Sequence, residues 1–163
     1  YFVEAAAKVL KQQQGVAFLI VGEGPEEQNI RAQIERLGLT PGVRMLGFRD
    51  DLRDVFRSLD LFVIPTIEGD TIPQVLMQAL AIGLPVVSTT TGSIPDVVAD
   101  GESGFIVPPR DADALADRIC RLLGDPELRA AMGRRGRQTV ERSYSIDRMV
   151  DELERVYRRV AAS

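Results

Sequence analysis

Apolar runs of strand length alternate along this sequence with segments whose apolar residues recur at helical spacing. These continuous apolar runs indicate buried strands that are covered on both faces. They occupy residues 16–22, 43–48, 61–65, 84–89 and 105–107. Buried strands that alternate with helices are typical of a mostly parallel sheet with helices on both sides. The sequence therefore predicts an α/β fold with a doubly wound parallel sheet flanked by helices.

Helical spacing is found at 26–37, 52–59, 73–82, 94–99 and 112–123, and the chain opens within the body of another helix at residues 1–10. The segment 126–160 also reads as helical, and it aligns Met149, Leu153, Val156 and Val160 in one apolar stripe. This stripe either packs on the rest of the domain, which is the simpler expectation, or reaches toward a neighbour outside the chain. Residues 1–163 are interpreted as a single domain that ends in a C-terminal helix at 145–163.

Charge and composition exclude several classes of function. The chain has 24 acidic and 20 basic side chains, for a formal charge of −4, and because these charges are interspersed no nucleic acid partner is expected. It has no histidine and one cysteine, which excludes the common imidazole base, a histidine or thiolate metal site and an internal disulfide. No apolar run approaches the roughly 20 residues of a membrane-spanning helix. These features favour a cytoplasmic protein that needs no metal ion or other cofactor.

Ligands of doubly wound sheets bind beyond the carboxyl ends of the strands. The turn Gly22-Glu23-Gly24-Pro25 lies at this edge between a strand and a helix, as a dinucleotide-binding loop would. However, the third glycine of that motif is replaced, and Glu26 and Glu27 would repel a pyrophosphate. An NAD-dependent oxidoreductase is therefore disfavoured. The loops expected to gather at this edge are 22–25, 47–51, 65–73 and 88–95.

The stretch 65–87 is the most informative part of the sequence. A strand ends at Pro65, a polar turn follows, and Pro73 is predicted as the first residue of a helix, where its missing N–H costs nothing. The backbone amides of Ile72, Gln74 and Val75 would then face the strand ends. Free N–H groups at the positive end of a helix dipole bind phosphate without a metal ion. The sequence thus predicts an anion site at this helix start.

The order and spacing of several motifs resemble the carboxyl-terminal domain of the family 4 retaining glycosyltransferases, also called group 1, which have the GT-B fold. The matching pieces are residues 20–25, 43–47, 58–66, 79–87 and 92–108, so the likeness covers nearly the whole chain. The resemblance implies a Rossmann-like, donor-binding domain. It also implies metal-independent transfer of a sugar from a nucleoside-diphosphate sugar to a hydroxyl acceptor with retained anomeric configuration, as in polysaccharide biosynthesis.

In that family two glutamates separated by seven residues hold the donor, the first at the sugar hydroxyls and the second at the ribose. The resemblance carries these catalytic-site roles to Asp70 and Gln78. Asp70 keeps a carboxylate on a shorter side chain, whereas Gln78 keeps hydrogen-bonding capacity without the charge. Two hypotheses follow: an active glycosyltransferase, or a non-catalytic glycosyltransferase-like binding or regulatory module. Glu68 either supplies the longer carboxylate or is a solvated turn residue.

The resemblance implies further contacts to the donor. The loop that begins at Gly92 would lie near the donor sugar and the loop at Gly47 near the base, whereas Arg44 and Arg49 are expected in surface or ion-pair roles. The donor-binding residues expected on these grounds are Gly22, Gly47, Thr71, Ile72, Pro73, Gln74, Val75 and Gly92.

In that family, a first strand and a loop with a basic residue that neutralises the diphosphate precede the segment that corresponds to the start of this sequence at Tyr1. Because that strand is central in the sheet, strands 16–21 and 61–64 are expected to lack their shared neighbour. We therefore expect the protein to extend upstream into an amino-terminal acceptor domain, which the resemblance allows to associate peripherally with a membrane. The 163-residue chain alone is expected to be inactive.

Overall fold

The computed structural model describes residues 1–69 and 71–161, and its elements follow the predicted alternation with small differences at their ends. The segment 94–99 forms only a single 3-10 turn, Ile94–Asp96, instead of the predicted helix. In chain order the elements are α1 (Phe2–Gln12), β1 (Phe18–Val21), α2 (Glu27–Arg36), β2 (Val43–Gly47), α3 (Leu52–Arg57), β3 (Phe62–Ile64), α4 (Gln74–Ile82), β4 (Val86–Thr89), the 3-10 turn, β5 (Gly104–Val107), α5 (Ala112–Gly124), α6 (Pro126–Ser143) and α7 (Ile146–Ala161).

The strands all run parallel to their neighbours and form two sheets, β1–β2 and β3–β4–β5. Phe18 pairs with Val43 in the first sheet, and Val86 pairs with both Phe62 and Gly104 in the second. Within the described residues, β1 and β3 do not pair with each other, which agrees with the predicted absence of a shared neighbour. Each of these two strands therefore keeps one edge without a strand partner.

Apolar layers cover both faces of the sheets. In β4, Val86 and Val87 point to opposite faces, and both are fully buried. Val87 packs in a cluster with Val9 of α1 and Leu115 of α5, whereas Val86 packs in a second cluster with Leu80 of α4. Helices on both faces of parallel strands confirm the predicted doubly wound α/β fold.

The prediction that every strand is covered on both faces holds best for β4, whose four residues are all buried. It is wrong for β2, where burial alternates and Arg44 and Leu46 are exposed, and for β3, where each residue is only half-buried. β4 lies between two strands and has helices on both faces, which accounts for its complete burial.

The carboxyl-terminal helical segment breaks at Tyr144 into α6 and α7. No residue of α7 is buried, and the stripe of Met149, Leu153, Val156 and Val160 is between 47% and 69% exposed. The expectation that this stripe packs on the domain is therefore wrong, because helical spacing identifies an apolar face but not its partner. No helix among the described residues has both the length and the apolar character to cross a bilayer.

Helix α6 holds α4 in place through a very close backbone approach. A Cβ atom added at Gly133 would lie 1.9 Å from the carbonyl oxygen of Gly83, the residue that ends α4 in a left-handed conformation (φ 88°). One turn further, a Cβ at Gly136 would lie 2.6 Å from Cδ2 of Leu80. Only glycine permits helices to approach this closely. The pair α4 and α6 thereby fixes the orientation of α4 relative to the sheet.

Candidate functional site

The loops that follow β1 and β2 meet at the carboxyl edge of the first sheet. The amide of Gly22 donates to the carbonyl oxygen of Gly47 at 2.8 Å, and both glycines have positive φ. Glu23 Oε1 accepts a hydrogen bond from the amide of Phe48 at 3.4 Å. The structure thus brings together Gly22 and Gly47. Phe48, predicted within a strand, lies outside β2 with its ring 71% exposed, because the chain turns at Gly47.

Arg49 forms an ion pair with Asp51 of the same loop, with Nε donating to Oδ1 at 2.7 Å. The hydrogen bond from Arg49 lowers the pKa of the Asp51 carboxyl below its usual value, and the hydrogen bond to Asp51 raises the pKa of Arg49. The ion-pair role expected for Arg49 is confirmed.

Hydroxyl groups at the end of β4 anchor the loop that follows β3. Thr89 Oγ1 donates to the carbonyl oxygen of Thr66 at 2.7 Å, and Thr91 Oγ1 donates to the same oxygen at 3.1 Å. Ser88 Oγ donates to the carbonyl oxygen of Ile64 at 3.2 Å. Ser88 and Thr89 are fully buried, so these bonds satisfy polar groups inside the domain and fix the start of the loop 65–73.

Helix α4 begins one residue later than predicted, because Pro73 has an extended backbone (φ −62°, ψ 130°) and is the N-cap. The Pro73 carbonyl oxygen accepts from the amides of Leu76 and Met77 at 3.0 and 3.4 Å. Among the described residues, the amides of Gln74 and Val75 have no acceptor and no side chain caps the helix. The first turn of α4 itself contains no acidic residue that would offset the positive end of the helix dipole.

The remaining predicted donor-site residues lie around this helix start. Thr71, Gln74, Val75 and Gln78 are exposed, whereas Ile72 and Pro73 are half-buried. Gly92 lies in the turn after β4, with φ 54°. Asp70 lies outside the described residues. No hydrogen bond within 1–69 and 71–161 joins these residues to the loops of Gly22 and Gly47, which belong to the other sheet.

A tight turn after β5 brings a basic side chain to the loop 65–73. Asp111 N donates to the Pro108 carbonyl oxygen at 3.4 Å, Pro109 occupies the second position, and Arg110 has a φ of 65° at the third. This is the pattern of a type II turn, whose third position favours glycine. Arg110 is the only residue other than glycine with positive φ in the described chain. A left-handed conformation costs a non-glycine residue about 1–2 kcal/mol.

The guanidinium of Arg110 pairs with Glu68, with 3.7 Å between Nη2 and Oε1. The Arg110 side chain is 69% exposed and that of Glu68 is 88% exposed. An exposed ion pair of this kind contributes at most about 1 kcal/mol. Sequence reasoning left Glu68 open between two roles and did not consider Arg110. The signal that could have identified Arg110 is the run Pro108-Pro109-Arg110-Asp111, in which arginine occupies the glycine position of a turn.

Potential metal ligands do not cluster in the described part of the chain: no three Asp, Glu, Cys or His side chains there come close enough to hold an ion. The described groups at the second sheet that can bind an anion include backbone amides and neutral side chains. The α4 amino terminus combines the amides of Gln74 and Val75, which have no partner in 1–69 and 71–161, with the exposed amide side chain of Gln78, one turn further along.

Residues 1–125 match the family described as Glycosyl transferases group 1. The chain is 37% identical over 163 residues to a phosphatidyl-myo-inositol mannosyltransferase of Mycobacterium leprae, covering 99% of the chain and 42% of that protein. The chain spans less than half the length of this and other curated relatives that it matches.

Solved structures show the same fold. Sucrose-phosphate synthase from Thermosynechococcus elongatus superposes with a TM-score of 0.85 at 27% identity, over 99% of this chain and 43% of the synthase. The Anabaena protein HepE in complex with UDP-glucose superposes with a TM-score of 0.83 at 23% identity, over 98% of this chain and 44% of HepE. At 23% identity, the likeness to HepE shows a shared fold and nothing more.

Proposed function

The chain belongs to the group 1 glycosyl transferases, and from this membership we propose that it is the donor-binding domain of a glycosyltransferase. In this proposal it holds a nucleoside-diphosphate sugar while the sugar passes to a hydroxyl acceptor with retained anomeric configuration. The observation that carries the proposal is the α4 amino terminus, where the amides of Gln74 and Val75 have no acceptor among the described residues. Because the chain spans 42% of its mannosyltransferase relative, we assign the acceptor site to the rest of the protein.

The chemistry of the leaving group explains why such a terminus suits this reaction. Cleavage of the bond between sugar and diphosphate leaves negative charge on the diphosphate, and preorganised donors lower the barrier by stabilising that charge. The two free amides and the helix dipole supply positive potential without reorganisation. The proposed reaction therefore assigns the diphosphate to α4 and needs no divalent metal ion.

Gln78 is proposed to contact the ribose and Asp70 the sugar hydroxyls. Gln78 lies one helical turn beyond Gln74 on the same side of α4, and its side chain is exposed. HepE binds UDP-glucose, and we propose a donor of the same class, a nucleoside-diphosphate sugar, for this chain. The exposed ring of Phe48, beside the loop of Gly47, offers an apolar surface at the edge proposed for the base.

Replacement of Gln78 tests the proposed ribose contact. In the full-length protein we expect Gln78→Ala to raise the Kd for a nucleoside diphosphate about two- to tenfold, since one neutral hydrogen bond is lost. Gln78→Glu is expected to lower the Kd by a few fold, because a charged acceptor forms a stronger bond with a hydroxyl. Isothermal titration calorimetry with uridine, guanosine and adenosine diphosphates measures both changes.

The matched control is Gln138→Ala, which removes an exposed glutamine from α6 and should leave the Kd unchanged. No heat with any of the three nucleotides would contradict the donor-site proposal. One observation supports a second candidate, a non-catalytic binding module: an uncharged glutamine stands at position 78. Slow hydrolysis of a nucleotide sugar by the intact protein distinguishes the enzyme from such a module, which would bind the donor without turning it over.

A further inference from the structure

Two hydrogen bonds hold the backbone around Arg110. The Asp111 amide closes the turn onto Pro108, and the Asp111 side chain caps α5 by accepting from Ala114 N at 2.9 Å. The Tyr1 hydroxyl is buried and has no hydrogen-bond partner among the described residues. The fold therefore imposes the left-handed conformation on whatever residue occupies position 110.

Arginine is an unfavourable choice for this position if only the turn is considered. Glycine would adopt the same conformation without a clash between Cβ and the backbone. The Arg110 side chain is largely exposed, so it adds little to the apolar core. The ion pair that it forms with Glu68 is exposed, and an exposed ion pair contributes little to stability. The turn and the core therefore do not explain the arginine, whereas its ion pair reaches the loop that contains Glu68.

The described residues of that loop, 65–69 and 71–73, have few other restraints. Its first part is anchored where Thr66 accepts from Thr89 and Thr91, and its end is fixed by Pro73 at the start of α4. Between these anchors, the Glu68–Arg110 pair is the only hydrogen bond or ion pair formed by the described residues. Ile72 adds an apolar contact with the core. The pair thus joins the turn after β5 to the middle of the loop that leads into the candidate site.

We propose that Arg110 is a positioning residue: its guanidinium holds Glu68 and so restrains the loop 65–73 beside the amino terminus of α4. This inference rests on the proposed function of α4 as the donor site. A restrained loop loses less conformational entropy when the donor binds, which increases affinity without any new contact to the ligand. Arg110 and Glu68 act as one unit in this role, and the effect weakens as salt screens the exposed pair.

The test compares Arg110→Gly, Arg110→Lys, Glu68→Gln and the double variant Arg110→Gly/Glu68→Gln in the full-length protein. Arg110→Gly should melt at or above the temperature of the parent, because backbone strain is relieved. It should nevertheless bind uridine diphosphate, or the nucleotide preferred by the parent, about three- to fivefold more weakly, the size expected for one exposed pair. Glu68→Gln should show the same loss, the double variant no more than either single change, and Arg110→Lys most of the parent affinity.

Hydrogen–deuterium exchange gives a readout that needs no ligand: amides of residues 67–72 should exchange faster in Arg110→Gly and Glu68→Gln than in the parent. The matched control is Arg137→Ala, which breaks the exposed pair with Glu141 on α6 and should change neither measurement. Parent-like affinity and exchange in Arg110→Gly would overturn the inference, as would fully additive losses in the double variant. If the parent itself binds no nucleotide, the proposed function fails, and the positioning role fails with it.

Discussion

Gly133→Ala is expected to lower the free energy of unfolding by about 3 kcal/mol, which is the upper part of the range for overpacked interiors. The added methyl group would lie 1.9 Å from the Gly83 carbonyl oxygen and 2.9 Å from its carbon. Both are backbone atoms of the residue that ends α4, so no side-chain rotation can relieve the clash. The helices α4 and α6 must separate, which disturbs the cluster that contains Leu76 and Leu80.

Thermal unfolding followed by circular dichroism measures this effect, and a loss of this size corresponds to a fall in Tm of about 6–12 °C. Gly124→Ala is the matched control, because Gly124 also belongs to a helix but has no atom within 4 Å of an added Cβ. That variant should be as stable as the parent or slightly more stable. The Tm of Gly136→Ala should lie between those of the other two variants, because the atom nearest to the added Cβ belongs to the flexible Leu80 side chain. A Tm for Gly133→Ala equal to that of Gly124→Ala would contradict the close packing of α6 on α4.

Gln74→Pro is expected to weaken binding of a nucleoside diphosphate about tenfold or more, because it deletes one of the two free amides at the α4 amino terminus. Hydrogen bonds to charged groups contribute about 1.5–3 kcal/mol. The first helical residue is the position where proline is best tolerated, and the preceding Pro73 already has the extended backbone that a following proline requires. The change therefore removes a donor and leaves the helix intact.

Calorimetry on the full-length protein provides the measurement, with Gln74→Ala as the control that removes the same side chain but keeps the amide. Gln74→Ala should bind nearly as the parent does, and both variants should have similar Tm values. Equal affinities of the proline and alanine variants would show that this amide does not contact the diphosphate, and the central part of the proposed function would have to be abandoned.

Much of the candidate site could be anticipated from local sequence. The strand before Pro65, the polar turn and the apolar spacing of α4 predicted a helix with free amides, and the structure differs only by making Pro73 the cap instead of the first residue. The start of the helix could be predicted because a helix start depends on a few consecutive residues. The roles of Asp70 and Gln78 came from resemblance instead, and they stay predictions.

Other features depend on contacts between distant residues that the local sequence does not show. The hydroxyls of Thr89 and Thr91 anchor a carbonyl group more than 20 positions earlier in the chain, and Arg110 meets Glu68 across the end of the sheet. The exposure of α7 was missed for a related reason, since periodicity marks an apolar face whether or not another part of the domain covers it.

The sequence by itself determined the order and type of the elements, the doubly wound class and the resemblance to group 1 glycosyltransferases, because periodicity, turn residues and motif spacing are properties of neighbouring residues. Only the tertiary structure decided that α7 is exposed, that Gly133 lets α6 reach the backbone of α4, and that the guanidinium of Arg110 meets Glu68. Those outcomes depend on distances between residues far apart in the chain, and packing of the whole domain sets those distances.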